Sequence, residues 1–122
     1  MYIKIRKNEG YIVIDILSTE IERKTLSLFR ATLRNLLSSG NSKIIINMHN
    51  VNKINNKFLG CLLAFKKKLD VIGGELSVCA VKPEILSVFY IIRFDNFVNI
   101  YSAECDILRH RSPLTKRRFK IV

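Results

Sequence analysis

Residues 45–63 read IINMHNVNKINNKFLGCLL, and the fold turns on how that stretch divides. Lys43-Ile44-Ile45-Ile46-Asn47-Met48 is short, β-branched and mostly apolar, which suits a central strand covered on both faces. From about Asn56 to Ile72, Leu59, Leu62, Leu63, Leu69 and Ile72 recur at helical spacing. Lys66, Lys67 and Lys68 fall where that face turns to water, and Gly73-Gly74 stops the helix. Between strand and helix lies a polar loop. Asn55 or Asn56 can cap the helix, because an Asn side-chain oxygen accepts from the N2 or N3 amide. From Val51 to Leu59 there is no Ser, Thr, Tyr, Cys, His, Asp or Glu. The loop can shape a surface, but it cannot form a phosphate ester or move a proton.

Upstream, Tyr2–Lys7 alternates, Asn8-Glu9-Gly10 reads as a turn, and Tyr11–Leu17 is a second strand, so the chain opens on a hairpin. Ser18-Thr19-Glu20 breaks it. From Glu22 to Leu37 the residues Leu26, Phe29, Leu33, Leu36 and Leu37 mark a helix, ended by Ser38-Ser39-Gly40-Asn41. Asp15, Glu20 and Glu22 cluster near its start, where negative charge complements the helix dipole. Downstream, Glu75–Val81 reads as a core strand. Lys82-Pro83-Glu84 opens a helix running through Phe89 and Tyr90, and Phe97–Tyr101 is a last short strand. Ser102 is the expected N-cap of a terminal helix ending near Leu108. The order is β-β-α-β-α-β-α-β-α, an α/β class with a mostly parallel sheet under helical cover.

The 122 residues are the size of one domain, and 48% of them are hydrophobic, enough for a packed core. The longest apolar stretch, FLGCLLAF, is too short to cross a bilayer, and charges interrupt the N-terminus, so a signal peptide is not expected. Cys61, Cys79 and Cys105 form no CxxC and lie in or beside apolar runs, which predicts small core residues in a reducing cytoplasm. The formal charge is +11. Residues 109–122, RHRSPLTKRRFKIV, hold six Lys/Arg and no acid, leaving +5 on residues 1–108. Excess positive charge favours anionic partners without choosing among them.

Catalysis is poorly supported. His49 and His110 are far apart, and no metal spacing, nucleophile elbow or Gly-rich phosphate loop appears. No cofactor and no small-molecule substrate are expected.

Four stretches together resemble the STAS domain (sulphate transporter and anti-sigma factor antagonist), and more narrowly the stand-alone bacterial anti-sigma factor antagonists. They are residues 45–63, Val71-Ile72-Gly73-Gly74-Glu75-Leu76, Val81-Lys82-Pro83 with Phe89 two turns on, and Ile100-Tyr101-Ser102-Ala103-Glu104. The resemblance covers roughly residues 2–108. It implies a STAS domain over 1–108 with a mixed, mostly parallel sheet and covering helices, and the composition break near Arg109 leaves a basic tail over 109–122. It also implies a partner: in this family an ATP-using anti-sigma kinase phosphorylates a Ser or Thr in the loop. The unmodified form binds the kinase and the phosphorylated form lets go, since nearly two added negative charges disrupt a packed contact. By the same likeness Asn55 stands at the family's Asp and Lys57 at the phosphorylated residue. Phe58 replaces the usual Gly, and Thr19 replaces a Gly before the first helix.

Lys57 has no hydroxyl, so the family's switch is expected to be absent at this position. A cation in a first helical turn costs about 0.3–1 kcal/mol when exposed. Either it is a surface residue that tolerates this cost, or it pairs with an acidic group or phosphate on a partner. The resemblance implies a protein-binding surface of Asn52, Asn55, Asn56, Lys57, Phe58, Leu59 and Gly60, with Glu20 and Glu22 beside it. The implied partner is an anti-sigma factor/serine kinase or related ATPase. Two alternatives stay open: an accessory STAS subunit docking on a lipid-transport ABC ATPase, and nucleic-acid or membrane-surface binding through Arg109, Arg111, Lys116, Arg117, Arg118 and Lys120.

Overall fold

A computed structural model describes residues 2–114. Its elements are β1 (Ile3–Asn8), β2 (Tyr11–Ile16), α1 (Arg23–Ser38), β3 (Lys43–Asn47), α2 (Asn56–Val71), β4 (Glu75–Cys79), α3 (Pro83–Ile91), β5 (Asn99–Tyr101) and α4 (Glu104–Leu108). The strands form one sheet in the order β1-β2-β3-β4-β5. The first pair is antiparallel, with Ile3 opposite Ile16 and Asn8 opposite Tyr11. The pairs β2–β3, β3–β4 and β4–β5 are parallel. Glu9 and Gly10 both have positive φ, at 48° and 87°, as a two-residue hairpin turn of the primed type requires.

The period of two along each strand divides the core. Ile12, Ile14, Ile44, Ile46, Leu76 and Val78 meet Leu26, Phe29 and Leu33 of α1, Phe58, Leu62, Phe65 and Leu69 of α2, and Ile85 and Phe89 of α3. Tyr11, Val13, Ile45 and Cys79 point the other way and pack with Ile107 of α4. Three helices therefore lie on one face and α4 on the other, and all six residues of β2 are buried. The α2–β4 turn is tight. Gly74 donates to the Leu69 carbonyl at 2.8 Å, and a Cβ there would sit 2.6 Å from the Ser42 carbonyl oxygen.

Several expectations need correction. Residues 97–101 are not one strand. Phe94–Asn96 form a turn of 3-10 helix that sets the Phe94 ring 4.9 Å from Phe89, Phe97 is exposed, and β5 begins at Asn99. β4 ends at Cys79 because Ala80 takes a positive φ of 58°, outside strand geometry. Ile72 is exposed beyond the end of α2, and Phe65 supplies the inward contact instead. Ser102 does not cap α4. Ala103 is the N-cap, and its amide donates to the Asp106 carboxylate at 3.2 Å. Cys79 is buried, Cys61 is half-buried and Cys105 is exposed, so the three cysteines are not all core residues. Past Arg109 the chain returns to the sheet: the Leu114 amide donates to the Ile100 carbonyl at 2.7 Å in an antiparallel bridge beside β5.

Candidate functional site

The loops at the C-terminal ends of β2, β3 and β4 are tied into one surface. Met48 and Val51 are fully buried and anchor the β3–α2 loop from below. The amides of Asn52 and Lys53 donate to the Thr19 carbonyl at 2.7 and 3.3 Å, stitching that loop to the one after β2. Glu20 and Lys53 pair at 3.5 Å along the same seam, both exposed. Lys82, at the N-cap of α3, donates to the Asn52 side chain and ties in the third loop. Thr19 does not have positive φ, so the backbone here does not require glycine.

Asn55 holds the centre. Its Oδ1 accepts from the Phe58 amide at 2.9 Å, capping α2, and its Nδ2 donates to the Ile21 carbonyl at 2.9 Å. One side chain thus caps a helix and fastens the neighbouring loop, which uses both halves of an amide. Asn56 and Lys57 follow as the first two helical residues, both exposed, and Gly60 lies one turn on with open space over its Cα.

Two of the expected contact residues are elsewhere. Phe58 is 0% exposed and stacks 5.3 Å from Phe29, and Leu59 is also part of the core. Their position in the first turn of α2 directs them under the helix toward the sheet, so neither presents a side chain to a partner. Glu20 and Glu22 are exposed, but Glu20 pairs with Lys53, and Glu22 is the N-cap of α1 without a side-chain capping bond. Asp15 does not complement the helix dipole. It is a buried residue of β2 facing Arg6.

The charge at the three helix starts on this surface is mixed. α1 begins Arg23-Lys24, α2 carries Lys57 at its second position, and Lys82 caps α3. Glu22 at the N-cap of α1 and Glu84 in the first turn of α3 offset two of these cations, so α2, with Lys57 and no acid in its first turn, is the end where a cation stands against the dipole. Such an end attracts anionic groups.

Beside the loop, facing stripes of α1 and α2 leave a groove of about 450 Å³. Leu33, Leu37 and Phe65 form its apolar floor, and Arg30, Arg34, Lys57 and Lys68 rim it. Cys61 lines it too, its thiol pushed up by burial against the opposing pull of Arg30 and Lys68.

On the opposite face, sequence reasoning missed a polar network. Arg6 donates to Asp15 at 2.7 and 3.1 Å and to Glu104 at 2.8 and 2.5 Å, and Asn8 and Asn47 donate to Glu104 at 2.6 and 3.4 Å. The hydrogen bonds from Arg6 chiefly hold the Glu104 carboxyl below its ordinary range, and the two carboxylates raise the guanidinium. This network clamps α4 to the sheet. A lone Asp in an apolar strand was the one signal of it in the sequence.

Arg109 and Arg111 are exposed, and Arg111 approaches Asp106 at 3.8 Å. Lys116, Arg117, Arg118 and Lys120 lie outside the described residues. His49 is an exposed loop residue bonded to Asn47. Among the described residues no His/Cys/Asp/Glu cluster could hold a metal ion, and no helix is long and apolar enough to cross a membrane.

The family model for the STAS domain matches residues 2–107. No curated protein matches the sequence. An anti-sigma factor antagonist from Mycobacterium paratuberculosis superposes with a TM-score of 0.77 at 19% identity, covering 88% of this chain and 91% of that one. The anti-sigma factor antagonist SpoIIAA of Bacillus, in its unphosphorylated form, gives 0.70 at 16% identity, over 98% and 99%. The murine anion transporter Slc26a9 gives 0.66 at 11% identity, over 86% of this chain and 18% of that one. At these identities the likeness is one of fold.

Proposed function

We propose that this chain, which belongs to the STAS domain family, is a non-enzymatic regulatory domain that binds a protein partner in the manner of an anti-sigma factor antagonist, without the family's phosphate switch at its loop. The carrying observation is the Asn55-capped loop, which keeps an ordered, three-loop surface while exposing Lys57 at the second position of α2. A primary amine cannot take the phosphate ester that a Ser or Thr would, so position 57 stays cationic. The docking residues are then Asn52, Asn55, Asn56, Lys57 and Gly60, with Glu20 and Glu22 at the margin. The partner is an anti-sigma factor/serine kinase or a related ATPase with an acidic contact face, which the exposed Lys57 in the acid-free first turn of α2 favours. Two of the solved structures similar in fold are named anti-sigma factor antagonists, which supports the same class.

The test is capture from lysate of the source organism with the whole chain as bait, beside Lys57→Glu and Asn52→Glu. An anti-sigma-type ATPase held by the native bait and lost by both variants supports the reading. Capture of a transporter ATPase instead replaces it with a transport role, and an identical catch by all three baits refutes the loop as the interface.

A further inference from the structure

We infer that the groove between α1 and α2 is the seat of an acidic amphipathic helix contributed by the protein partner. This rests on the protein-binding reading above and adds the element and chemistry the partner must present. The lining residues of α1 are spaced by three and four, and so are those of α2, so each helix turns one continuous stripe toward the other. On α2 the stripe holds Gly60, Cys61 and Ala64, small side chains that leave the furrow deep, while Leu33 and Phe65 close its base. A Cβ on Gly60 would meet nothing within 4 Å.

Length and charge select the occupant. From Lys57 to Lys68 the furrow runs three helical turns, about 16 Å at 1.5 Å per residue. Its cations are spread along that length: Lys57 at one end, Lys68 at the other, Arg30 and Arg34 on the facing wall, with no acidic residue in the lining. A single carboxylate or phosphate on a small amphiphile would engage one or two of these and leave the rest facing each other. A helix with an apolar stripe and Glu or Asp along both flanks matches the whole row, in the helix-in-groove mode. The chain's own C-terminal segment is strongly basic and is the wrong sign for this site. Lys57 belongs both to the loop surface and to the groove, so a partner seated on the loops reaches the furrow without a gap.

The test uses Cys61 as a reporter in a Cys105→Ser background, since Cys79 is fully buried. An 18-residue Ala-based helical peptide with a Leu stripe and Glu flanks is added, and maleimide labelling of Cys61 is followed. The expected result is labelling slowed at least tenfold, with the protection falling as salt rises. The same peptide with Lys flanks should not protect, and Arg30→Glu/Arg34→Glu or Ala64→Phe should abolish protection by the Glu peptide. Absence of protection, or equal protection by both peptides, overturns the inference. Protection by dodecanoate with none by the peptide also overturns it, assigning the furrow to a small amphiphile. The two readings fail separately. A partner lost by Asn52→Glu but kept by Ala64→Phe leaves the loop reading standing and removes the groove. Protection of Cys61 with no partner lost by Asn52→Glu does the reverse.

Discussion

Replacing Lys57 with Glu should strengthen the fold while weakening binding. Lys57 is exposed at the second position of α2, in a first turn that holds no acidic residue. A cation there opposes the helix dipole by about 0.3–1 kcal/mol, and an anion gains about the same. The exchange is therefore worth about 0.6–2 kcal/mol of added stability. Lys and Glu have near-equal helix propensity, so little else changes in the helix itself. Arg30 and Arg34 on the facing wall push in the same direction, because a carboxylate replaces a fourth positive charge. For a chain of this size the gain corresponds to a rise in Tm of about 2–8 °C. Thermal unfolding by circular dichroism at low salt measures it, and the gain should shrink at high salt as the charges are screened. Lys57→Gln should give roughly half the effect. A Tm that falls or stays fixed at low salt would refute the electrostatic reasoning. A Tm that rises with partner binding intact would leave Lys57 a surface residue without a docking role.

Three further outcomes are expected. Arg6→Met leaves the Asp15 and Glu104 carboxylates facing without their shared cation; since Arg6 is one-third exposed, the cost is placed below that of a fully buried pair, at about 2–3 kcal/mol by urea unfolding at pH 7. Because Glu104 is held low when folded, its contribution in the native chain is present above the unfolded carboxyl range, about pH 4, and is lost as pH falls through the lower folded value. In Arg6→Met that carboxyl should no longer be held low, so the deficit should narrow toward acid pH, and a deficit constant between pH 7 and pH 3.5 would count against the network. Asn55→Ala should lose both the cap and the bond to Ile21, about 1–3 kcal/mol, while Asn55→Asp keeps the cap and loses less. Gly74→Ala should cost about 1–3 kcal/mol, because the added methyl meets the Ser42 backbone carbonyl, which cannot swing aside as a side chain would; an unchanged Tm would mean the α2–β4 turn shifts freely.

The element order was legible because each strand and helix carries its own period. Ile44-Ile45-Ile46 is apolar at every position, as a doubly covered strand demands, and Leu59, Leu62 and Leu69 keep helical spacing. The loop was legible through Asn55, whose capping role depends on immediate neighbours. What stayed hidden depends on distant residues. Arg6 and Glu104 are 98 positions apart and meet through the sheet, so no local pattern announces them. Phe58 looked like a surface substitution by family likeness, yet with Leu62, Phe65 and Leu69 it completes an inward stripe, and that spacing was available to be read. The turn at Phe94 exists to bring one ring to Phe89, a contact made after the helix has already ended. The groove is a property of two facing helices and has no signature in either alone.

The two margins of the sheet bear on how this molecule behaves in a crowd. On one side, Leu114 bridges to Ile100 and occupies part of the hydrogen-bonding rim of β5. On the other, β1 is an outermost strand carrying the exposed Lys4 and Lys7 in a run of six residues. Positively charged side chains repel an identical strand approaching from a second copy, and a rim already engaged offers fewer free amides to a stranger. Addition of a foreign strand is thereby disfavoured at both ends.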